Sequence, residues 1–277
     1  MALRVGIALA ICLGIASTAA AQVVRFETSI GHFDMVLNPT DNPLLEGHAA
    51  NMLQYIENGN YNGSWINRAA ENFVLQMGGF FSHTKRPPLT SDSTRPVATF
   101  DPVPGRPMIS GLSNTLGTVS LALPSGPGGA LPDAGTSSFF INLGNNSGLD
   151  DAFTVFAAIP DMTVVNQIMA LMQRDLTADP LFGESPSNLG FIDVPLQNNG
   201  FQVFVKRAFE VTDAMAMTMA TSGVQSIMAA SASAGGAGVG SSSPLSAVAV
   251  PEPASGGLFL LGLFGAWLAA RRCGKRS

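Results

Sequence analysis

The chain has 277 residues and a formal net charge of −5, a size for one domain with appended segments. No basic patch or basic helix runs through the body, which excludes nucleic acid as a partner on charge grounds. The only cysteines are Cys12 and Cys273, so the body carries neither a disulfide framework nor a thiolate nucleophile or metal site.

Residues 1–21 combine Arg4, an apolar run and the small residues Ala19-Ala20-Ala21, the layout of a secretory signal peptide cut before Gln22. Residues 23–39 read as a hairpin. Val24, Phe26 and Thr28 alternate with polar neighbours, Ser29-Ile30-Gly31-His32 turns the chain, and Phe33, Met35 and Leu37 alternate again. Residues 41–59 read as a helix with Asp41 or Asn42 as cap and Pro43 in the first turn. Its apolar stripe is Leu45, Ala49, Met52, Leu53 and Ile56, and Gly59 stops it. The histidines His32, His48 and His83 lack metal-ligand spacing and are expected in loops or at the surface.

The stretch 61–80, YNGSWINRAAENFVLQMGGF, sets Arg68 inside an otherwise uncharged or apolar run. A guanidinium in such company is costly unless partnered, which makes Arg68 the first candidate for a functional residue. Residues 67–77 are expected as a strand with an irregular start, with Phe73, Leu75 and Met77 on one face and Val74 and Gln76 on the other. A long proline-rich irregular region follows to Leu112, with Pro87-Pro88 and Pro102-Val103-Pro104-Gly105 as loop signals. Short strands are expected at 117–123, 138–143, 153–159 and 201–211, and a second helix capped by Asp161 over 161–172. About eight short strands and two helices set among hairpins predict a mainly β protein, a closed antiparallel barrel capped by two helices.

From Thr212 the composition shifts to Ala, Ser, Gly, Thr and Met, read over 213–249 as a low-complexity linker with a short helix at 214–219. The chain ends with Val250-Pro251-Glu252-Pro253, an apolar run over 256–270 and a basic end from Arg271 to Arg276. This tail resembles the PEP-CTERM sorting signal. The resemblance implies transient anchoring in the inner membrane, processing by an exosortase-type enzyme, and export to the periplasm, cell surface or extracellular matrix.

The body, residues 22–212, resembles the cyclophilin-type peptidyl-prolyl cis-trans isomerases. Three blocks carry this in order: RFETSIGHFDMVLNPTDNP with HAANMLQYIENGNYNG, the 61–80 stretch, and GTVSLAL with GTSSFFINLGNNSGLDDAFTVFAAI. The resemblance implies an eight-stranded barrel and isomerisation of X-Pro bonds in exported polypeptides, without cofactor or metal. By position Arg68 matches the family's catalytic arginine and Gln76 the glutamine beside it. Phe73, Val74, Phe140 and Leu149 match the proline-ring pocket, and Ala122 the small residue on the groove floor. Phe153 stands on the substrate-binding side, where histidine or tyrosine is usual. Other departures are Ile66, Asn67, Met77, Leu123 where the resemblance implies an asparagine to the substrate carbonyl, Ser138 where it implies a glutamine to the substrate backbone, and Gly148; the last replaces an aromatic, which implies weak or absent cyclosporin binding. An alternative reading is a module of this fold that binds proline-containing segments with little turnover.

Overall fold

A computed structural model describes residues 22–82, 94–96, 110–126, 129–176 and 191–236. The signal segment 1–21, most of the proline-rich region with His83, and the sorting tail 250–277 with its apolar run lie outside the described residues. Among those described, no helix is long and apolar enough to cross a membrane.

In chain order the strands are β1 (Val23–Thr28), β2 (His32–Leu37), β3 (Ser64–Ala69), β4 (Val74–Ser82), β5 (Thr94–Pro96), β6 (Thr118–Leu121), β7 (Ser125–Gly126), β8 (Gly129–Ala130), β9 (Phe139–Asn142), β10 (Val155–Ala158), β11 (Met172–Arg174), β12 (Val194–Leu196) and β13 (Val205–Glu210). The α-helices are α1 (Glu46–Glu57), α2 (Thr163–Met169) and α3 (Ala214–Gly236). Eight strands form one antiparallel path, β13-β1-β2-β10-β6-β9-β4-β3, and β5 pairs with β4 off that path. The path returns on itself at the start of β13 and the residues just before it. Gly63 N–H donates to Val205 O at 2.8 Å, Ile66 N–H to Val203 O at 2.9 Å, and Trp65 bridges Phe204. The result is the nearly closed eight-stranded barrel expected from the strand pattern, which leaves no long exposed edge among the described strands.

Alternation in the first hairpin is as predicted. Val24, Phe26, Phe33, Met35 and Leu37 point inward, and Arg25 pairs with Asp34 on the outside at 2.7 Å. The interior centres on Phe26, which meets Phe33, Tyr61 and Phe139 at ring separations of 5.5, 5.4 and 5.5 Å. α1 adds Leu45, Ala49, Met52, Tyr55 and Ile56 to this core, and α2 adds Val165 and Ile168. Asn42 caps the short 3-10 turn Pro43–Leu45 that precedes α1, and Gly59 ends the helix at φ +67°. Asp161 accepts from Thr163 N–H at 2.8 Å at the start of α2, and these hydrogen bonds from Thr163 hold its carboxyl below the ordinary range.

Four expectations are corrected. Residues 67–77 are two strands joined by a tight turn, in which Asn72 takes φ +55° and Phe73 N–H bonds to Ala70 O. The pleat therefore restarts at Val74, and Phe73 packs outside the barrel while Leu75 and Met77 lie inside. His48 is buried on α1 with its ring against Phe156, because its position continues the helix's inward stripe. α2 stops at Met169, and Met172 enters β11, which pairs with β12. The helix in the Ala- and Ser-rich segment runs to Gly236 and packs on the barrel through Ala220, Val224 and Met228. Alanine-rich sequence favours helix, and burial of that stripe stabilises it.

Gly78 follows the site strand segment at φ +85°, and a Cβ there would stand 2.6 Å from Ser137 O. Gly78→Ala is expected to lower stability by about 1–3 kcal/mol, from the positive φ and the backbone clash together. Denaturant titration with an unchanged m-value would register it; an unshifted midpoint would contradict this account of the strand.

Candidate active site

The site begins with a β-bulge. Between β3 and β4, Ile66 pairs with Met77 and Arg68 pairs with Gln76, so Asn67 is the extra residue. Without it, Arg68 would share the inward face of Ile66. With it, Arg68 turns to the outer face. The rung continues across the sheet, Gln76 opposite Phe140 and Phe140 opposite Ser120. One row on the outer wall thus carries Arg68, Gln76, Phe140 and Ser120, while Leu75, Met77, Phe139 and Ile141 on either side fill the interior.

Around that row an apolar cluster gathers Val74, Ala122, Leu123, Phe140, Leu149 and Phe153, with Phe73, Ala130 and Ala152 half-buried against it. Phe153 meets Phe140 edge to face at 5.4 Å. All eight sequence-predicted site residues are brought to one outer face: Arg68, Phe73, Val74, Gln76, Ala122, Phe140, Leu149 and Phe153.

Arg68 is 6% exposed. Its Cζ lies 5.5 Å from the centre of the Phe73 ring, a cation–π contact. Among the described residues its Nε and Nη1 have no hydrogen-bond partner. Burial pushes the guanidinium pKa down, and Asp193 partly offsets this. Asp193 itself is pushed up, first by its own desolvation and further by Asp175, with Arg68 acting the other way. Arg68 is the buried member of this pair and Asp193 is only part-buried, so the carboxylate's charge offsets only part of the guanidinium's loss of water. The β12 side supplies Asp193 beside β3, where Ala69 N–H donates to its carbonyl at 2.8 Å. Gln76 is fully buried, and its Nε2 faces Ser138 Oγ at 3.4 Å.

A polar network behind the apolar cluster has no counterpart in the sequence reading. Asn142 Nδ2 donates to Thr118 Oγ1 at 2.9 Å and to Asn114 Oδ1 at 3.1 Å, and Ser120 Oγ donates to Asn114 Oδ1 at 2.8 Å. Asn146 Nδ2 donates to Asn142 Oδ1 at 2.8 Å and to the Phe73 carbonyl at 2.7 Å. Asn114 Nδ2 donates to the Phe153 carbonyl at 3.0 Å, and Asp150 Oδ1 accepts from Asn114 N–H at 2.7 Å and from Nδ2 at 2.9 Å. Phe73 and Phe153, on different loops, are therefore tied through their backbones to one network, Phe73 by Asn146 and Phe153 by Asn114, with Asn142 between them. The Asn145-Asn146 pair was the available signal, but it reads as a turn.

The departures sort by face. Ile66 and Met77 belong to the interior core, so they do not front the site, and Asn67 is the bulge residue. Leu123, Ser138 and Phe153 do face it, and Leu123 is fully buried in the apolar cluster. Gly148 is exposed, with open space where a Cβ would stand.

The sequence profile of the family described as "Cyclophilin type peptidyl-prolyl cis-trans isomerase/CLD" matches residues 23–182, more than half of the chain. A peptidyl-prolyl cis-trans isomerase of Acinetobacter baylyi is 33% identical over 171 residues, covering 60% of this chain and 81% of the relative. Peptidyl-prolyl cis-trans isomerase B of Escherichia coli K12 is 29% identical over 178 residues, covering 59% and 97%. Among solved structures, a Cryptosporidium parvum cyclophilin-type isomerase aligns at TM-score 0.41 and 15% identity, covering 70% of this chain and 99% of that one. The chain belongs to the cyclophilin-type peptidyl-prolyl cis-trans isomerase family.

A buried cation without full hydrogen bonding is a stability cost that a hydrophobic replacement removes. Arg68→Leu is expected to raise the unfolding free energy by about 1 kcal/mol or more. Chemical denaturation would measure this, and a destabilised Arg68→Leu would mean that the guanidinium is held by partners it is not seen to have.

Proposed function

We propose that the chain catalyses cis-trans isomerisation of X-Pro bonds through Arg68, and that its substrates are exported polypeptides. The observation that carries the first part is that the buried Nε and Nη1 of Arg68, beside an apolar cluster, have no hydrogen-bond partner among the described residues. The barrier to prolyl rotation, about 18–20 kcal/mol, comes from amide resonance. As the bond twists, resonance is lost and the prolyl nitrogen regains a lone pair. A donor aimed at that nitrogen binds the twisted state more strongly than the planar one, which is what lowers a barrier. Arg68 supplies the donor, and its dry setting strengthens the interaction. Val74, Phe140, Leu149 and Phe153, with Ala122 beneath and Phe73 at the rim, hold the pyrrolidine ring while the acyl side turns. Gln76 holds the row between Arg68 and Phe140. The step is a rotation and moves no proton.

Export is supported by the two ends of the chain: the signal-like residues 1–21 and the Val250-Pro251-Glu252-Pro253 tail with its apolar run and basic end. On this reading the protein assists folding outside the cytoplasm after passing through an exosortase-type processing step at the inner membrane. A low-turnover module holding proline-containing segments is the second reading, favoured by Leu123 filling the cluster where the resemblance implies an asparagine.

A protease-coupled assay on a prolyl tetrapeptide separates the two. Catalysis is expected for the wild type, with kcat/KM falling by about 10²–10³ in Arg68→Ala, the loss typical of one transition-state donor. A wild type that binds the peptide but does not accelerate its isomerisation supports the module instead. For export, intact-mass spectrometry of cell-surface and medium fractions should find a chain that starts at Gln22 and lacks the basic end; a full-length chain confined to the cytoplasm would refute it.

A further inference from the structure

α3 lies beyond residues 23–182, the part that matches the family profile, in a segment whose composition reads as linker. It is nonetheless closely fitted. Ala220, Val224, Met228 and Ser231 form one buried stripe at helical spacing, while Met215 and Met219 on the opposite side are 74% and 70% exposed. The stripe packs on Val23, Val36, Leu112, Val155, Ala158 and Val211, the outer face of the barrel next to the strands of the site. The contact leaves little slack at Gly223, where a Cβ would stand 2.7 Å from Pro160 Cβ.

The polar end of the stripe reaches the pocket. Ser231 is fully buried, its Oγ donates to the Ser113 carbonyl, and Ser113 N–H donates back to the Ser231 carbonyl at 3.4 Å. The Ser113 hydroxyl donates to Asp150 Oδ2. The other Asp150 oxygen holds Asn114, whose side chain holds the Phe153 carbonyl. Asp150 ends the 3-10 turn that carries Leu149, and Phe153 N–H donates to Leu149 O at 2.9 Å. One chain of hydrogen bonds thus runs from α3 to two walls of the apolar cluster.

We infer that α3 is a working part of the isomerase domain and that Ser231 is a positioning residue for its proline pocket, acting through Ser113 and Asp150 on Leu149 and Phe153. The inference rests on the isomerase reading for its kinetic consequence, but not for its structural one. Buried hydroxyls fix geometry as well as adding stability, because the carbonyl they satisfy has no water to turn to if they move away. Without the Ser231 donor the Ser113 segment is free to shift, and the Leu149–Phe153 wall shifts with it.

The test uses the full chain with Ser231→Ala, Ser231→Thr and Val224→Ala. In the prolyl-peptide assay, well below the melting temperature, Ser231→Ala should raise KM about fivefold, the factor carried by one net hydrogen bond, with kcat within twofold. Ser231→Thr keeps the hydroxyl and should restore KM. Val224→Ala removes packing from the same stripe and should lower Tm as much or more while leaving KM unchanged. Methyl NMR of Leu149 reads the wall without turnover: its signals should move in Ser231→Ala and stay in place in Val224→Ala. Unmoved Leu149 signals in Ser231→Ala, or equal movement in both variants, would overturn the inference. A wild type without activity would defeat the isomerase reading alone, since the Leu149 signals would still decide the role of Ser231.

Discussion

A guanidinium held out of water, its Nε and Nη1 unpartnered among the described residues, is the constraint that the rest of the site serves. Water would solvate Arg68 and screen its charge; the outer wall of the barrel denies it both. The compensation visible around it is partial: the face of Phe73 and the charge of Asp193. A rigid sheet is needed to keep such a group in place, because a flexible loop would let it swing into solvent. The bulge at Asn67 is the device that reconciles the two demands. It lets one strand contribute Ile66 to the barrel core and, two residues on, Arg68 to the opposite face.

The walls facing the arginine are held differently. Val74 and Phe140 belong to paired strands, so their positions follow from the register of β4 and β9. Phe73, Leu149 and Phe153 sit on turns outside the named strands. Backbone bonds hold them in part, Leu143 N–H on the Phe73 carbonyl and Phe153 N–H on the Leu149 carbonyl. Side-chain amides add Asn146 on the Phe73 carbonyl and Asn114 on the Phe153 carbonyl, joined through Asn142. A buried amide that satisfies several partners at once permits few arrangements, so the network converts turn residues into walls nearly as fixed as strand residues. Removing one member would leave the others buried and unsatisfied, which makes the network cooperative in its failure as well.

Much of the fold was legible in the sequence because it is written in periodicity. Val24, Phe26, Met35 and Leu37 alternate, Leu45, Ala49, Met52 and Ile56 recur at helical spacing, and both patterns predict the observed burial. The site residues were reached through resemblance over three blocks. What the residues alone did not disclose is how they come to share a face. Period two puts Arg68 with Ile66, and only the register with β4 reveals the extra residue at Asn67. The turn at Asn72 was hidden for a similar reason: Phe73-Val74-Leu75 reads as unbroken strand unless the left-handed residue before it is recognised. His48 escaped because its residue type argues for the surface although its helical spacing argues for the core, and the asparagine network escaped because its partners are distant in sequence. α3 was masked by composition. Alanine, serine and methionine score as low complexity, yet Ala220, Val224, Met228 and Ser231 are spaced as a docking stripe.

Sorting the departures by face changes what they mean for the site. Ile66 and Met77 alter the barrel core, where volume and shape matter and contact with a peptide does not arise. Leu123, Ser138 and Phe153 lie on the groove side, where the resemblance implies an asparagine and a glutamine toward the substrate backbone at the first two and a histidine or tyrosine at the third. Leu123 and Phe153 instead join the apolar cluster, and the Ser138 hydroxyl donates to the Met77 carbonyl at 3.4 Å. On the proposed reading, recognition is thereby concentrated on the prolyl ring and on the donors of Arg68, with fewer hydrogen bonds along the flanking chain. Binding that rests on burial of one ring gains little from the identity of neighbouring residues, since apolar contact is non-directional and a missing methylene is worth only about 1–3 kcal/mol. Such a site suits many X-Pro sequences held weakly rather than one held tightly. For catalysis this is no handicap, because tighter binding of planar substrate and twisted transition state alike would leave the rotation itself no faster.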